Sequence, residues 1–310
     1  MASSRAFRLV ARLATVTAAL MYGLIVVGSV VRTTGSGLSC PDWPLCNGHL
    51  IPPFQINVFL EWFHRLIALA VGLLLFTTTA AVFTGRESRA RLGGLAALAV
   101  ALYFTQALLG ALTVWKLLDP SIVSGHLAVG LLLFTTLLLV ALVAHHECRS
   151  WDAEPGSRPA GLLPFLGSVA LLAYAQSVLG GMVSTNHAGL ACPDWPACNG
   201  EWFPAMAGLV GLQMAHRWGA YALAGAVLAA AGLSGAIADP LGRRLLRLAP
   251  VLVAAQIVLG VANVVLGLPV WISALHLANA TLIIGFMVTT TFRLAALTAV
   301  RPNPAGAGAR

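Results

Sequence analysis

GLSCPDWPLCNG, residues 37–48, returns as GLACPDWPACNG at residues 189–200, an offset of 152. His64 and His216 keep that offset of 152, and His126 and His276 lie 150 apart. TQALLGALTV, which starts at residue 105, is echoed by AQIVLGVANV at residue 255, again 150 further on. Motif, spacing and hydropathy repeat together, so the chain reads as a tandem duplication of one unit.

The nature of that unit follows from composition. Hydrophobic residues make up 59% of the 310 and charged residues 9%, with a mean hydropathy of +0.87. A water-soluble domain of this size is excluded, and runs of about 20 apolar residues are what membrane spans require. Eight such runs lie at roughly 13–33, 57–84, 92–115, 121–145, 161–183, 207–236, 246–267 and 270–298. The first is too long for a cleaved signal peptide and reads as a span. The sequence therefore predicts an all-α integral membrane protein with eight transmembrane helices in two tandem four-helix bundles. An even number of spans per half leaves both halves in one orientation, related by a pseudo-twofold axis along the membrane normal. The halves are residues 1–150 and 151–310, joined by the polar stretch HHECRSWDAEPGSRPAG at residues 145–161.

The formal net charge of +8 reads as topology. Arg5, Arg8 and Arg12, Arg86, Arg89 and Arg91, Arg149 and Arg158, Arg243, Arg244 and Arg247, and Arg301 and Arg310 fall on one side of an eight-span chain. By the positive-inside rule that side is cytoplasmic and holds both termini. The basic balance thus calls for membrane lipid and for no nucleic-acid partner.

Both C-x5-C pairs, Cys40 with Cys46 and Cys192 with Cys198, then lie in outer loops that face an oxidising compartment. A disulfide in each loop, contributing about 2–3 kcal/mol by loop entropy, is the natural reading. A two-thiolate metal site and a thiol relay are the other two. Cys148 is left on the cytoplasmic side as an inert thiol. His145, His146, His49 and His187 read as interfacial residues, and His187 stands where the first half has Gly35.

His64, His126, His216 and His276 each sit one to two turns inside an apolar run, roughly 10 Å below the outer surface. An ionisable side chain inside a membrane span is costly, which marks it as functional. Four at matched depth form two bis-histidine sites, His64 with His126 and His216 with His276. Such a pair between bundle helices suits a heme iron. A small residue follows each histidine by four positions: Ala68, Gly130, Ala220 and Ala280. Arg65 and Arg217 follow the first histidine of each pair, and Arg32 ends the first span. Their guanidiniums can meet heme propionates or anchor at the interface. One position breaks the symmetry: Glu61 precedes His64 by three residues, whereas Gln213 precedes His216. Residues three apart share a helix face, and a carboxylate can move protons where an amide cannot. The first half reads as reactive and the second as the holder of a permanent cofactor. Small faces around Gly93, Gly94 and Gly110 permit close helix packing, within the chain or in a homo-oligomer.

E-W-F-H-R (Glu61, His64, Arg65), G-H-L-A (His126), H-R-W (His216), L-H-L-A-N-A (His276) and the paired C-P-D-W-P-x-C loops together resemble the heme A synthase family over nearly the whole chain. The resemblance implies oxidation of the methyl substituent of heme O to a formyl group, giving heme A for terminal oxidases. It further implies substrate heme O at His64 and His126, heme b at His216 and His276, and Glu61 as the catalytic carboxylate. The Cys40–Cys46 disulfide, a bacterial-type plasma membrane location, and heme O synthase and an electron donor as partners belong to the same set of implications. The alternative is a quinol-linked diheme b-type electron carrier, which would hold only heme b. A transporter built from parallel repeats fits less well, because the polar residues cluster near one surface.

Overall fold

The computed structural model describes residues 2–148 and 159–297. Much of the polar junction, with Arg149 and Arg158, and the tail carrying Arg301 and Arg310 lie outside the described residues. Within them the chain forms eight long helices: α1 (Ala2–Thr33), α2 (Ile56–Thr84), α3 (Arg86–Trp115), α4 (Pro120–Cys148), α5 (Leu162–Thr185), α6 (Gly208–Gly232), α7 (Pro240–Val265) and α8 (Val270–Ala296). All eight are long and apolar enough to cross a membrane. The protein is an all-helical, multi-pass membrane protein.

Helix ends differ from the sequence reading at the arginine-rich side. α1 starts at Ala2, α3 at Arg86 and α7 at Pro240, so each runs through its arginine cluster and past the apolar run. Backbone hydrogen bonding does not stop where hydropathy falls. Arginine is a good helix former, and its long stem lets the charge reach water. The start of α7 is capped by Asp239, whose Oδ2 accepts from the Gly242 amide at 2.6 Å; at the opposite end of the bundle Asp119 Oδ1, before α4, accepts from Ser121 N at 2.9 Å. Both oxygens of Asp239 also accept from Arg293 at 2.7 Å, tying the start of α7 to the end of α8. Buried hydroxyls of Thr17, Thr78, Thr136, Thr281 and Thr290 donate to the carbonyl four residues back, so these five need no water in the apolar layer.

The packing order is the same in each half. α1 packs on α2 and α4, and α3 on α2 and α4; α5 packs on α6 and α8, and α7 on α6 and α8. The halves meet through α1 on α8, α4 on α5 and α4 on α8. Exchanging the halves turns the first of these contacts into the second and leaves the third unchanged. A continuous apolar core runs through this junction, including Met21, Leu131, Leu137, Leu166 and Ile284. Among the described residues the polar contacts that cross it include Ser124 Oγ with Thr185 Oγ1 at 2.9 Å, Arg32 Nη2 donating to Ser184 O at 2.8 Å, and Tyr174 Oη donating to Ala128 O at 3.1 Å. His145 and His146, read from sequence as solvated, are instead half-buried in the last turn of α4. That turn is flanked by α1 and α8, so His145 Nε2 lies 3.1 Å from Thr15 Oγ1 and His146 stands edge-on to Phe292.

Both cysteine loops fold alike. Disulfides join Cys40 to Cys46 and Cys192 to Cys198, and the loops carry matching backbone pairs, Cys46 with His49 and Cys198 with Glu201. Thus the disulfide, among the three cysteine readings, is the one present. A short 3-10 turn opens each loop, Ser36–Leu38 and Ala188–Leu190. The residue before it has positive φ: Gly35 at 69° and His187 at 56°.

Candidate functional site: two histidine pairs under disulfide loops

The four histidines occupy equivalent places. His64 and His216 are the ninth residues of α2 and α6, and His126 and His276 the seventh of α4 and α8. All four helices start at the end that carries the cysteine loops. Each imidazole lies on a glycine of the preceding helix. A Cβ placed on Gly28 would come 3.1 Å from His64 Cε1, on Gly110 3.3 Å from His126, on Gly180 2.8 Å from His216 and on Gly260 3.1 Å from His276. The approach at Gly180 is closer than real Cβ contacts and the other three are tighter than most, so a larger residue would press each ring back from this depth. Gly110 therefore serves contacts within the chain. Gly93 lies against Arg89 and Phe83 of its own half, and Gly94 has nothing near its missing side chain.

In the C-terminal half the rings turn toward one another. His216 and His276 have ring centroids 6.4 Å apart at an interplanar angle of 72°. Two imidazoles that share one metal through bonds of about 2 Å have centroids roughly 6 Å apart. His64 and His126 are close enough to interact electrostatically. Nδ1 of His64, His126 and His276 is buried with no hydrogen-bond partner, and a neutral imidazole so placed keeps a lone pair or a proton for a ligand. Among the described residues no group of three or more His, Cys, Asp or Glu converges. A bare ion would therefore find too few protein ligands, whereas a macrocycle that brings four nitrogens needs only two. The residues fit heme.

Glutamines that the sequence reading passed over complete these sites. Gln106 Nε2 lies 3.2 Å from His126 Nε2. Gln176 Nε2 lies 3.0 Å from His216 Nδ1 and donates to His216 O at 2.6 Å. Gln256 lies close enough to His276 to interact electrostatically, and its Oε1 accepts from Asn279 Nδ2 at 2.9 Å, one turn beyond the histidine. The signal was present in the TQALLG and AQIVLG echo, which repeats both the glutamine and the glycine.

The carboxylate sits directly under the first loop. Glu61 is 4% exposed, so its carboxylate is shielded from water. Its Oε2 accepts from Cys40 N at 2.8 Å and its Oε1 from Arg65 Nη2 at 2.6 Å. Arg65 also donates to Asp42 O at 2.7 Å, Leu45 O at 2.5 Å and Cys40 O at 2.9 Å. In the second half Arg217 donates to Ala197 O and Cys192 O, both at 2.7 Å. Gln213 donates to Gly189 O at 3.3 Å and keeps a buried Oε1 without a partner. Arg65, Arg217 and Arg32, expected to meet propionates, each also have partners within the protein. The structure spends the first two on loop carbonyls, because each loop folds back over its helix, and Arg32 on the opposite half.

Asp42 and Asp194 brace the same loops from the solvent side. Asp42 accepts from Asn47 N at 2.6 Å and Gly48 N at 2.8 Å, and Asp194 from Asn199 N at 2.7 Å and Gly200 N at 2.9 Å. The Gly48 amide, with that of Asn47, holds the Asp42 carboxyl below the usual carboxylate range, and Gly200 with Asn199 does the same for Asp194.

The profile of the COX15-CtaA family, cytochrome oxidase assembly proteins, matches residues 11–57 and 53–288. The chain belongs to this family. The matched segments include Glu61, all four histidines and both cysteine loops. The chain is also similar to curated relatives named Heme A synthase. One from Methylobacterium sp. (strain 4-46) is 32% identical over 93% of this chain and 92% of its own length. Those from Rhizorhabdus wittichii and Shewanella oneidensis are each 28% identical, over 87% and 89% of this chain and 90% and 94% of their own. The COX15-CtaA member described here is thus a heme A synthase family protein over nearly its full length.

Proposed function

We propose that the chain oxidises the methyl substituent of heme O to a formyl group, giving heme A. The observation that carries this is Glu61: on a duplicated scaffold, a buried carboxylate stands beside only one of two histidine pairs. The N-terminal half, residues 1–150, takes substrate heme O between His64 and His126. The C-terminal half, residues 151–310, holds heme b between His216 and His276. When bound there, heme b supplies one-electron transfer.

The protein's part is orientation and proton handling. His64 and His126 hold the substrate under the first cysteine loop. Glu61, three residues from His64, lies on the same face and passes protons as the methyl carbon is hydroxylated twice. Each hydroxylation consumes dioxygen as oxidant, two electrons from a separate donor and two protons, with the second oxygen atom leaving as water. The geminal diol then loses water to leave the formyl group. Arg65 fixes the Glu61 carboxylate from one side and the Cys40 amide from the other, so its position is set before substrate arrives. The disulfide loops face the extracytoplasmic side of a bacterial-type plasma membrane and the termini face the cytoplasm. Heme O synthase upstream and a separate electron donor are the partners this chemistry calls for.

The deciding experiment is mass analysis of hemes extracted from protein purified after co-expression with a heme O source. Heme A or its hydroxylated precursor beside heme b supports the synthase reading. Heme b alone, at two per chain, favours a diheme electron carrier, and a folded chain without heme overturns both.

A further inference from the structure

The four histidine sites share one device, and one of them lacks part of it. In three helices a glutamine stands one turn before the glycine under the ring: Gln106 and Gly110, Gln176 and Gly180, Gln256 and Gly260. In α1 the corresponding residues are Leu24 and Gly28. The amides of Gln106 and Gln176 reach the rings of His126 and His216, and Gln256 contacts His276 while its side chain binds Asn279. Leu24 is buried and has no polar atom to offer. Among the described residues no hydrogen bond reaches the His64 ring, and its Nδ1 is buried without a partner.

A hydrogen bond from a neighbouring group fixes the orientation of a metal-bound imidazole and raises its affinity; removing it typically weakens binding about 10–100-fold. The C-terminal pair has a hydrogen bond at His216 and a glutamine, Gln256, beside His276. The N-terminal pair has such a glutamine at His126 alone, and its unsupported member is the one that shares a helix face with Glu61.

Resting on the reading that each pair holds a heme, we propose that His64 is the exchangeable ligand of the substrate heme and that Leu24 makes it so. His126 stays bound while His64 leaves the iron and returns. The position it vacates opens on the side of Glu61, and the C-terminal heme stays closed to outside ligands. Leu24, Gln106, Gln176 and Gln256 are positioning residues in this scheme, acting through the histidines.

The probe is carbon monoxide, added to reduced full-length protein carrying heme in both halves and followed by absorbance. The wild-type chain should bind carbon monoxide at one heme and not the other. Leu24→Gln, which supplies the missing amide, should slow that binding about tenfold. Gln176→Leu should open the second heme to the probe, and it reads the same device in the opposite direction if Leu24→Gln does not fold. Equal reactivity of both hemes in the wild type overturns the proposal. So does an unchanged rate in Leu24→Gln with both hemes in place, or a second heme that stays closed in Gln176→Leu. Heme content, measured alongside, separates the two levels of the argument. A folded chain without heme removes the functional reading and this inference together, whereas two hemes of equal reactivity remove only the inference.

Discussion

The two halves of this protein carry the same loop, the same disulfide, the same arginine and the same glycine-seated histidines, yet only one has a buried acid beneath its cysteine loop. Glu61 and Gln213 both sit under the loop, 4% and 5% exposed. Both arginines hold the loop carbonyls, so Arg65 does its structural task without needing Glu61, as Arg217 does beside Gln213. A loop of this fold therefore does not require a carboxylate at this place, although Glu61 accepts from both Cys40 N and Arg65. A charge kept in an apolar layer without structural need is what a reactive site looks like. The second half serves as an internal control for the first.

Making the halves alike at that position is the most severe test. Glu61→Gln should abolish formyl product while leaving heme content and thermal stability near wild type, since Gln213 already shows the amide fitting such a site. Full activity in that variant, read by mass analysis of extracted heme, would remove the role given to Glu61. The next test acts on the shared seat. Gly180→Ala puts a methyl group 2.8 Å from His216 Cε1, and overpacking of this kind costs about 1–3 kcal/mol. Heme b retention should fall about tenfold, measured by pigment content after washing. Gly225→Ala, with nothing within 4 Å, should keep the heme.

A third test separates the loops. Replacing Cys40 and Cys46 by serine, or Cys192 and Cys198 by serine, should cost about 2–3 kcal/mol in either half, read as a lower thermal midpoint. Only the first pair should also reduce formyl product at a temperature where both variants are folded, because the Cys40 amide holds Glu61. A smaller effect is expected where the repeat is broken. His187 has φ of 56° where Gly35 has 69°, and the left-handed region costs a non-glycine residue about 1 kcal/mol. His187→Gly should be neutral to slightly stabilising, and Gly35→Ala destabilising by about that amount.

The smallest effect should be equal in both halves. Asp42 and Asp194 have folded carboxyl values below the unfolded one of about 3.9. Their contribution is thus complete above that value and is lost as pH falls through the folded values. Hydrogen exchange at Asn47, Gly48, Asn199 and Gly200 should rise beyond its intrinsic pH dependence only in strongly acidic solution, and together. Loosening of one loop alone, or loosening near neutrality, would contradict the matched bracing.

The sequence by itself determined the eight spans, the duplication and the four histidines. Apolar runs and repeated motifs survive in one dimension, and a histidine stands out against a background of 59% hydrophobic residues. Glu61 was legible for the same reason, as the single acidic departure from the repeat beside a histidine. The glycines under the rings were not, because one glycine among 31 looks like any other until two helix faces are brought together. Gln106, Gln176 and Gln256 lie 20 or 40 residues from the histidines they serve, so their role depends on which helix packs beside which. The partners of Arg65 and Arg217 likewise depended on the loops folding back over α2 and α6. Charge and depth can be read along a chain; which acceptor a guanidinium finds is decided by tertiary structure, since a hydrogen bond needs its donor and acceptor within about 3 Å of each other.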